Sequence, residues 1–205
     1  MSWHRPRALA SHLSALAARA LGRRRRGTVV RMRRSLEGPL PQHPMPDGYT
    51  LRTMRRDEVD VWVDIQLDAD ETTRADLATF RREFGEPLEK VERRIFFALD
   101  SEGTPVATIA AWIGTDSDGG ECGQMHWLAV RPAHGRRGLA RALSAHVVRE
   151  LARRHDRCFL VTNSRLTAAI RIYLTDGWVP DLDAADAERA WVGIRSDLAE
   201  FEGSR

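Results

Sequence analysis

Apolar and polar positions change period several times along this chain, and each change marks an element. In Gly123–Val130, Leu128 and Val130 fall on one face of a strand and Trp127 and Ala129 on the other. Both faces are apolar, which predicts a central strand covered on both sides. Pro132 ends it, having no N–H to donate. Beyond a Gly- and Arg-rich loop, Leu139, Leu143, Val147 and Leu151 recur every four residues, the stripe of a helix packed on a sheet.

Upstream, Tyr49-Thr50-Leu51-Arg52-Thr53-Met54 alternates as a first strand. Asp57 is placed to cap a helix with an apolar face of Val59, Trp62, Val63 and Leu67, and a second helix is expected from about Thr73 to Phe84. Ile95–Leu99 and Val106–Trp112 read as two strands joined by a turn at Ser101–Thr104. Downstream, Cys158–Val161 is the next strand, Leu166–Thr175 a helix, and Trp178-Val179 and Ala190–Ile194 the last strands. The order β-α-α-β-β-β-α-β-α-β-β predicts an α/β domain without internal repeats.

A length of 205 residues with 42% hydrophobic content can bury one core of ordinary size. No apolar run approaches the ~18 residues that cross a membrane. Cys122 and Cys158 have neither metal-ligand nor disulfide-framework spacing, and Cys122 with His126 lacks the second pair that a metal would need. We expect no metal, and two ordinary thiols in a reducing, cytoplasmic setting.

Charge divides the chain unevenly. Before Glu37 there are ten arginines and no acidic residue; the rest holds 22 basic against 29 acidic residues, a net charge of −7. Residues 1–36 therefore read as a basic extension. Leu9, Leu13, Leu16, Ala20 and Leu21 stand at helical spacing before the Arg23–Arg26 run, a pattern that suits contact with nucleic acid or an acidic membrane surface. A transit peptide, a loosely ordered segment and a start at Met32 are the alternatives. Residues 37–48, with four prolines, are expected to be an extended linker, and residues 49–205 the domain.

The chemistry concentrates in the loop after the central strand. A helix N-terminus leaves backbone N–H groups without partners and carries partial positive charge. Gly135, Arg136, Arg137 and Gly138 there predict an anion site of phosphate type. The loop lacks the Gly-Lys-Ser/Thr ending of a P-loop and the Gly-x-Gly-x-x-Gly of a dinucleotide site.

Val130-x-Pro132 followed by Gly135-Arg136-Arg137-Gly138-Leu139-Ala140 resembles the acetyl-CoA loop of the GNAT superfamily of N-acetyltransferases, Gln/Arg-x-x-Gly-x-Gly/Ala. Gly135 departs from the usual Gln or Arg. Ala169-Ile170-Arg171-Ile172-Tyr173-Leu174-Thr175-Asp176-Gly177-Trp178 resembles the family's downstream Ala-x-x-Leu-Tyr-x-x-x-Gly-Phe, with Leu166 where many members carry Asn. The resemblance implies a GNAT fold: a mixed sheet of six to seven strands flanked by about four helices.

It also implies transfer of an acetyl group from acetyl-CoA straight to a primary amine. Backbone groups of Leu128, Ala129 and Val130 would hold the pantetheine, and Gly135, Arg136, Arg137, Gly138, Leu139 and Ala140 the pyrophosphate. Tyr173 matches the family's general acid at the coenzyme sulfur. His126, four residues before Val130 and so expected on the face of Leu128 and Val130, is a candidate base, histidine being suited to proton removal near neutral pH. His134 and His146 read as surface residues.

The acceptor side holds Asp64, Asp68, Asp70, Glu71 and Asp76, and Asp181, Asp183, Asp186 and Glu188, which would favour a cationic amine or else form solvated faces. The expected partners are a small-molecule or peptide amine and a second copy of the chain, with nucleic acid or membrane contact through residues 1–36 left open. The competing function is a non-catalytic GNAT-fold module that binds CoA or associates with nucleic acid.

Overall fold

The computed structural model describes residues 27–70, 73–85, 91–116, 119–183 and 187–202. The amphipathic stretch at Leu9–Leu21 and the Arg23–Arg26 run lie outside the described residues. The elements are β1 (Val29–Ser35), β2 (Thr50–Thr53), α1 (Val59–Ala69), α2 (Leu77–Phe84), β3 (Ile95–Leu99), β4 (Pro105–Thr115), β5 (Glu121–Val130), α3 (Leu139–Ala152), β6 (Arg157–Asn163), α4 (Thr167–Thr175), β7 (Val179–Pro180) and α5 (Ala187–Glu202).

The seven strands form one mixed sheet in the order β2-β3-β4-β5-β6-β1-β7. Only β5 and β6 run parallel, joined by the α3 crossover; the other neighbours are antiparallel. Alternation along β3 and β4 explains the layers. Ile95, Phe97 and Ala110 bury against Trp62, Ile65 and Phe80 of α1 and α2. Phe96, Ala98, Ile109 and Ala111 bury with Leu139, Leu143 and Val147 of α3. Helices thus cover both faces, as the apolar strands require.

Four expectations are corrected. First, the basic extension is in part a strand: Val29–Ser35 pairs with β6 over its whole length and with β7 at Met32 and Arg33. Val30 and Met32 bury in the core while the intervening arginines lie along the sheet; Arg31 covers the Phe159 ring at 3.6 Å and pairs with Asp181 at 3.1 Å. The following residues are irregular, but they are not a free linker. Leu36, Leu40 and Met45 pack on the core, and Arg149 donates to the Pro41 carbonyl at 2.9 Å.

Second, Ala190–Ile194 lies in a helix, so five helices occur among the described residues. Trp191 and Ile194 bury and Val192 is 65% exposed, so the apolar spacing is that of a helix face extended by Leu198. Third, His146 is not a surface residue. It is half-buried, its ring meeting Phe96 edge-on at 4.6 Å. Fourth, Asp57 does not cap α1; Glu58 holds that position and is paired with Arg52 at 2.6 Å, while Asp76 caps α2 through the Thr79 amide.

Candidate active site

The site begins with an irregularity in β5. Thr108 pairs with Ala129 and Ala110 with His126, so Trp127 and Leu128 stand opposite the single residue Ile109. This β-bulge puts Trp127 at φ 52°, the left-handed region that a bulky residue rarely occupies. Buried Gln66 of α1 donates to the Trp127 carbonyl at 3.0 Å and so satisfies the group that the bulge turns out of the ladder.

The bulge reverses one expectation. His126 does not share the face of Leu128 and Val130. Its ring meets Phe84 of α2 at 5.7 Å and neighbours Trp127, whereas Leu128 and Val130 pack with the α3 cluster. One extra residue shifts the alternation, placing His126 and Trp127 on the same side.

The bulge also marks where β5 parts from β6. Their pairing covers only Gly123–Met125 with Cys158–Leu160. Beyond it the strands diverge around a cavity of about 450 Å³. Leu128, Ala129 and Val130 form one wall, Leu160–Thr162 the other, and Tyr173 and Ala140 also border it. Among the described residues, no strand pairs with the β6-facing edge of Leu128–Val130.

The anion loop follows directly. Pro132–His134 forms a single helical turn, Arg136 takes φ 59°, and Gly138 takes φ 89° as the residue that opens α3. Glycine holds this left-handed position without the clash that a Cβ would bring. No side chain caps the helix, so the first-turn amides of α3 remain available to an anion. Gly135 has an ordinary φ of −64°, yet a Cβ there would lie 3.1 Å from the Pro132 carbonyl. Tyr49 ties the loop down, its hydroxyl meeting His134 Nδ1 at 2.9 Å and receiving Arg137 at 3.2 Å. Arg136 is exposed.

Tyr173 is buried in α4, with its ring 6.2 Å from that of Trp178. Burial pushes its phenol above the ordinary value, so it stays protonated across the physiological range. The element that carries it is clamped from β1 and the segment after it: Arg34 of β1 donates to the Asp176 carbonyl, and His43 meets Asp176 Oδ1 at 2.9 Å. Gly177 follows at φ 84°, where a Cβ would run into the Arg34 guanidinium. Leu166 borders the cavity.

Glu83, at the end of α2, was not legible as a site residue. Its Oε2 meets His126 Nε2 at 3.2 Å and receives Trp127 Nε1 at 3.3 Å, while Arg82 reaches Oε1 at 3.2 Å. Burial raises its carboxyl, but the hydrogen bonds and the His126 charge outweigh it and hold the pKa below the usual range. On the other side of the ring, the Gln124 amide meets His126 Nδ1 at 3.0 Å. With the amide donating, the His126 proton resides on Nε2 and points at Glu83. Burial lowers the His126 pKa despite the opposing pull of Glu83, so the ring is neutral at neutral pH.

Several of the acidic residues expected around the acceptor serve the fold. Asp68 pairs with Arg131 at 3.0 Å, Asp181 with Arg31 and Asp183 with Arg33. Asp70 and Glu83 border the cavity; Glu71 and Asp186 lie outside the described residues. No group of three potential metal ligands occurs among the described residues.

A model of the acetyltransferase (GNAT) family matches residues 53–178. The mycothiol acetyltransferase of Thermobispora bispora is 30% identical over 186 residues, covering 82% of this chain and 60% of that protein. That of Salinispora tropica is 33% identical over 174 residues, covering 79% and 55%. The chain thus spans little more than half the length of these curated relatives. The GCN5-related N-acetyltransferase of Sphaerobacter thermophilus superposes with a TM-score of 0.59 at 20% identity, over 81% of this chain and 53% of that one. A chain of the NatC complex bound to Gag peptide and CoA gives 0.51 at 18% identity, over 64% and 94%. With more than half of its length matched by the family model and the expected sheet split beside an αL-opened helix, the chain belongs to the GNAT family of acetyltransferases.

Proposed function

We propose that the protein is an acetyl-CoA-dependent N-acetyltransferase that passes the acetyl group directly to a primary amine. One observation carries this reading: the divergence of β5 and β6 opens onto both the uncapped start of α3 and Tyr173. The first-turn amides behind Gly138, with Arg136 and Arg137, suit a pyrophosphate, and the unpaired edge of Leu128–Val130 can hydrogen-bond an extended pantetheine as an added strand. Acetyl-CoA brings a thioester carbonyl and a thiolate leaving group.

The side chains divide the proton work. The Glu83–His126 pair takes a proton from the acceptor's ammonium, with Glu83 as the receiving carboxylate and His126 Nε2–H holding it in place. Tyr173, kept neutral by burial, gives its hydroxyl proton to the departing sulfur. Neither cysteine suits a covalent route. Cys122 and Cys158 are buried, and burial raises both thiols, Cys158 to about 12.

For the acceptor, Asp70 and Glu83 on the α1–α2 side of the cavity favour a cationic amine over an anionic one. The relatives' name makes a mycothiol-type amine the first acceptor to try, with peptide amines second. The test is release of free CoA thiol from acetyl-CoA across a panel of amines. Amine-dependent release that Tyr173→Phe lowers supports the reading; tight CoA binding without release for any amine would favour the non-catalytic module.

A further inference from the structure

At the opposite end of α3 a second cavity, of about 540 Å³, lies between that helix and the start of β3. With 14 residues in the helix, it is about 20 Å from the anion loop. Phe96, Ala111 and Leu151 line it together with Arg93 and Arg94 from one segment and Arg153, Arg154 and His155 from another. Among the described residues Glu150 is the one lining carboxylate, and it is engaged by Arg153 at 3.5 Å. Four guanidinium groups against one carboxylate make this a strongly positive groove on a chain whose residues after the basic extension carry a net charge of −7.

Arginines at a helix C-terminus complement the helix dipole, which accounts for Arg153 and Arg154. It does not account for Arg93 and Arg94, which approach the same groove from the strand side. Arg94 is partly buried, with its guanidinium 5.8 Å from the Trp112 ring. Burial disfavours its cation first and the charge of Arg154 second, while Glu121 compensates in part. Among the described residues, Arg94 and Arg154 have no ion-pair partner. Like charges held together in a partly desolvated groove are relieved most by a compact ligand with several negative charges.

We propose that this groove binds a small ligand carrying two or more phosphate groups, at a site separate from the acetyl-CoA cleft. Arg94 and Arg154 provide the central contacts, with Arg93 and Arg153 at the rim. Guanidinium groups suit phosphate oxygens through paired N–H donors.

The test is calorimetric titration of the full chain with tripolyphosphate and with ATP. Because the α3 loop also suits phosphates, the same titrations are run on Arg136→Glu/Arg137→Glu and on Arg94→Gln/Arg154→Gln. The expected result is binding that survives the loop variant within about twofold, falls at least ~10-fold in the groove variant, and weakens with added salt. Arg153→Gln/Arg154→Gln, confined to exposed positions at the helix end, repeats the groove test if loss of Arg94 disturbs folding. No binding to the wild-type chain, loss confined to the loop variant, or equal loss in loop and groove variants would overturn the proposal. Binding of a single-stranded oligonucleotide where ATP and tripolyphosphate fail would also overturn it, in favour of nucleic acid.

Discussion

Glu83 and His126, 43 positions apart in sequence, meet at 3.2 Å beside the opening of the sheet. The contact exists because a bulge at Trp127 turns His126 toward α2 instead of α3. It makes Glu83 the proton acceptor, held in place by a histidine whose other nitrogen is already committed to Gln124. Glu83→Gln keeps the shape and removes the negative charge. We expect amine-dependent kcat/KM to fall about 10²-fold, in the range general bases contribute, with acetyl-CoA affinity unchanged within about twofold. A loss of acetyl-CoA affinity in proportion would assign Glu83 a structural role.

The titration of His126 follows from the same geometry. Burial lowers its pKa and Glu83 pulls the other way. By NMR its midpoint should lie below the ordinary ~6.5, and Glu83→Gln should move it lower still. An upward shift in the variant would contradict the assignment. The linkage to stability has a definite sign. The unfolded chain binds the proton at a higher pH than the fold does, so this group's contribution is present above ~6.5 and is lost as pH falls through the lowered folded value. Half-buried His146 is shifted in the same direction by burial. The thermal midpoint should therefore be lower at pH 5 than at pH 7.5.

Tyr173→Phe removes a hydroxyl bordering the cavity and leaves a ring that packs the same core. Turnover should drop at least ~10-fold with acetyl-CoA affinity little changed. Full activity, measured by release of CoA thiol, would remove Tyr173 from the acid role.

β1 is integral to the sheet, and Met32 at its middle is 0% exposed. Met32→Ala should destabilise the fold by about 2–5 kcal/mol, read from denaturant unfolding. A change below about 0.5 kcal/mol would mean that β1 is a detachable extension after all.

The strand-loop-helix at Gly123–Leu151 was legible because its apolar period changes sharply across a Gly- and Arg-rich turn, and Tyr173 because its surrounding motif is dense. β1 was not. Arginines at three of its seven positions mimic a basic tail, and only the tertiary partners Phe159, Asp181 and Asp183 turn them into a sheet face. Helix α5 was misread because Trp191, Val192 and Ile194 also suit a strand, and the burial that decides the matter comes from packing. The side of His126 depended on one inserted residue that no periodicity reveals. Glu83 looked like any charged residue at a helix end, since its meaning lies in contacts made across 43 residues of chain.

The uncapped, αL-opened start of α3, as the acetyl-CoA pyrophosphate site, is what every proposed step depends on. Calorimetric titration of acetyl-CoA into the wild-type protein and into Gly138→Glu tests it most directly. We predict micromolar binding in the wild type. In the variant, a side chain at φ 89° brings bulk and negative charge against the phosphates, and binding should be lost. Equal affinity in a folded Gly138→Glu protein, or no binding to the wild type, would contradict it.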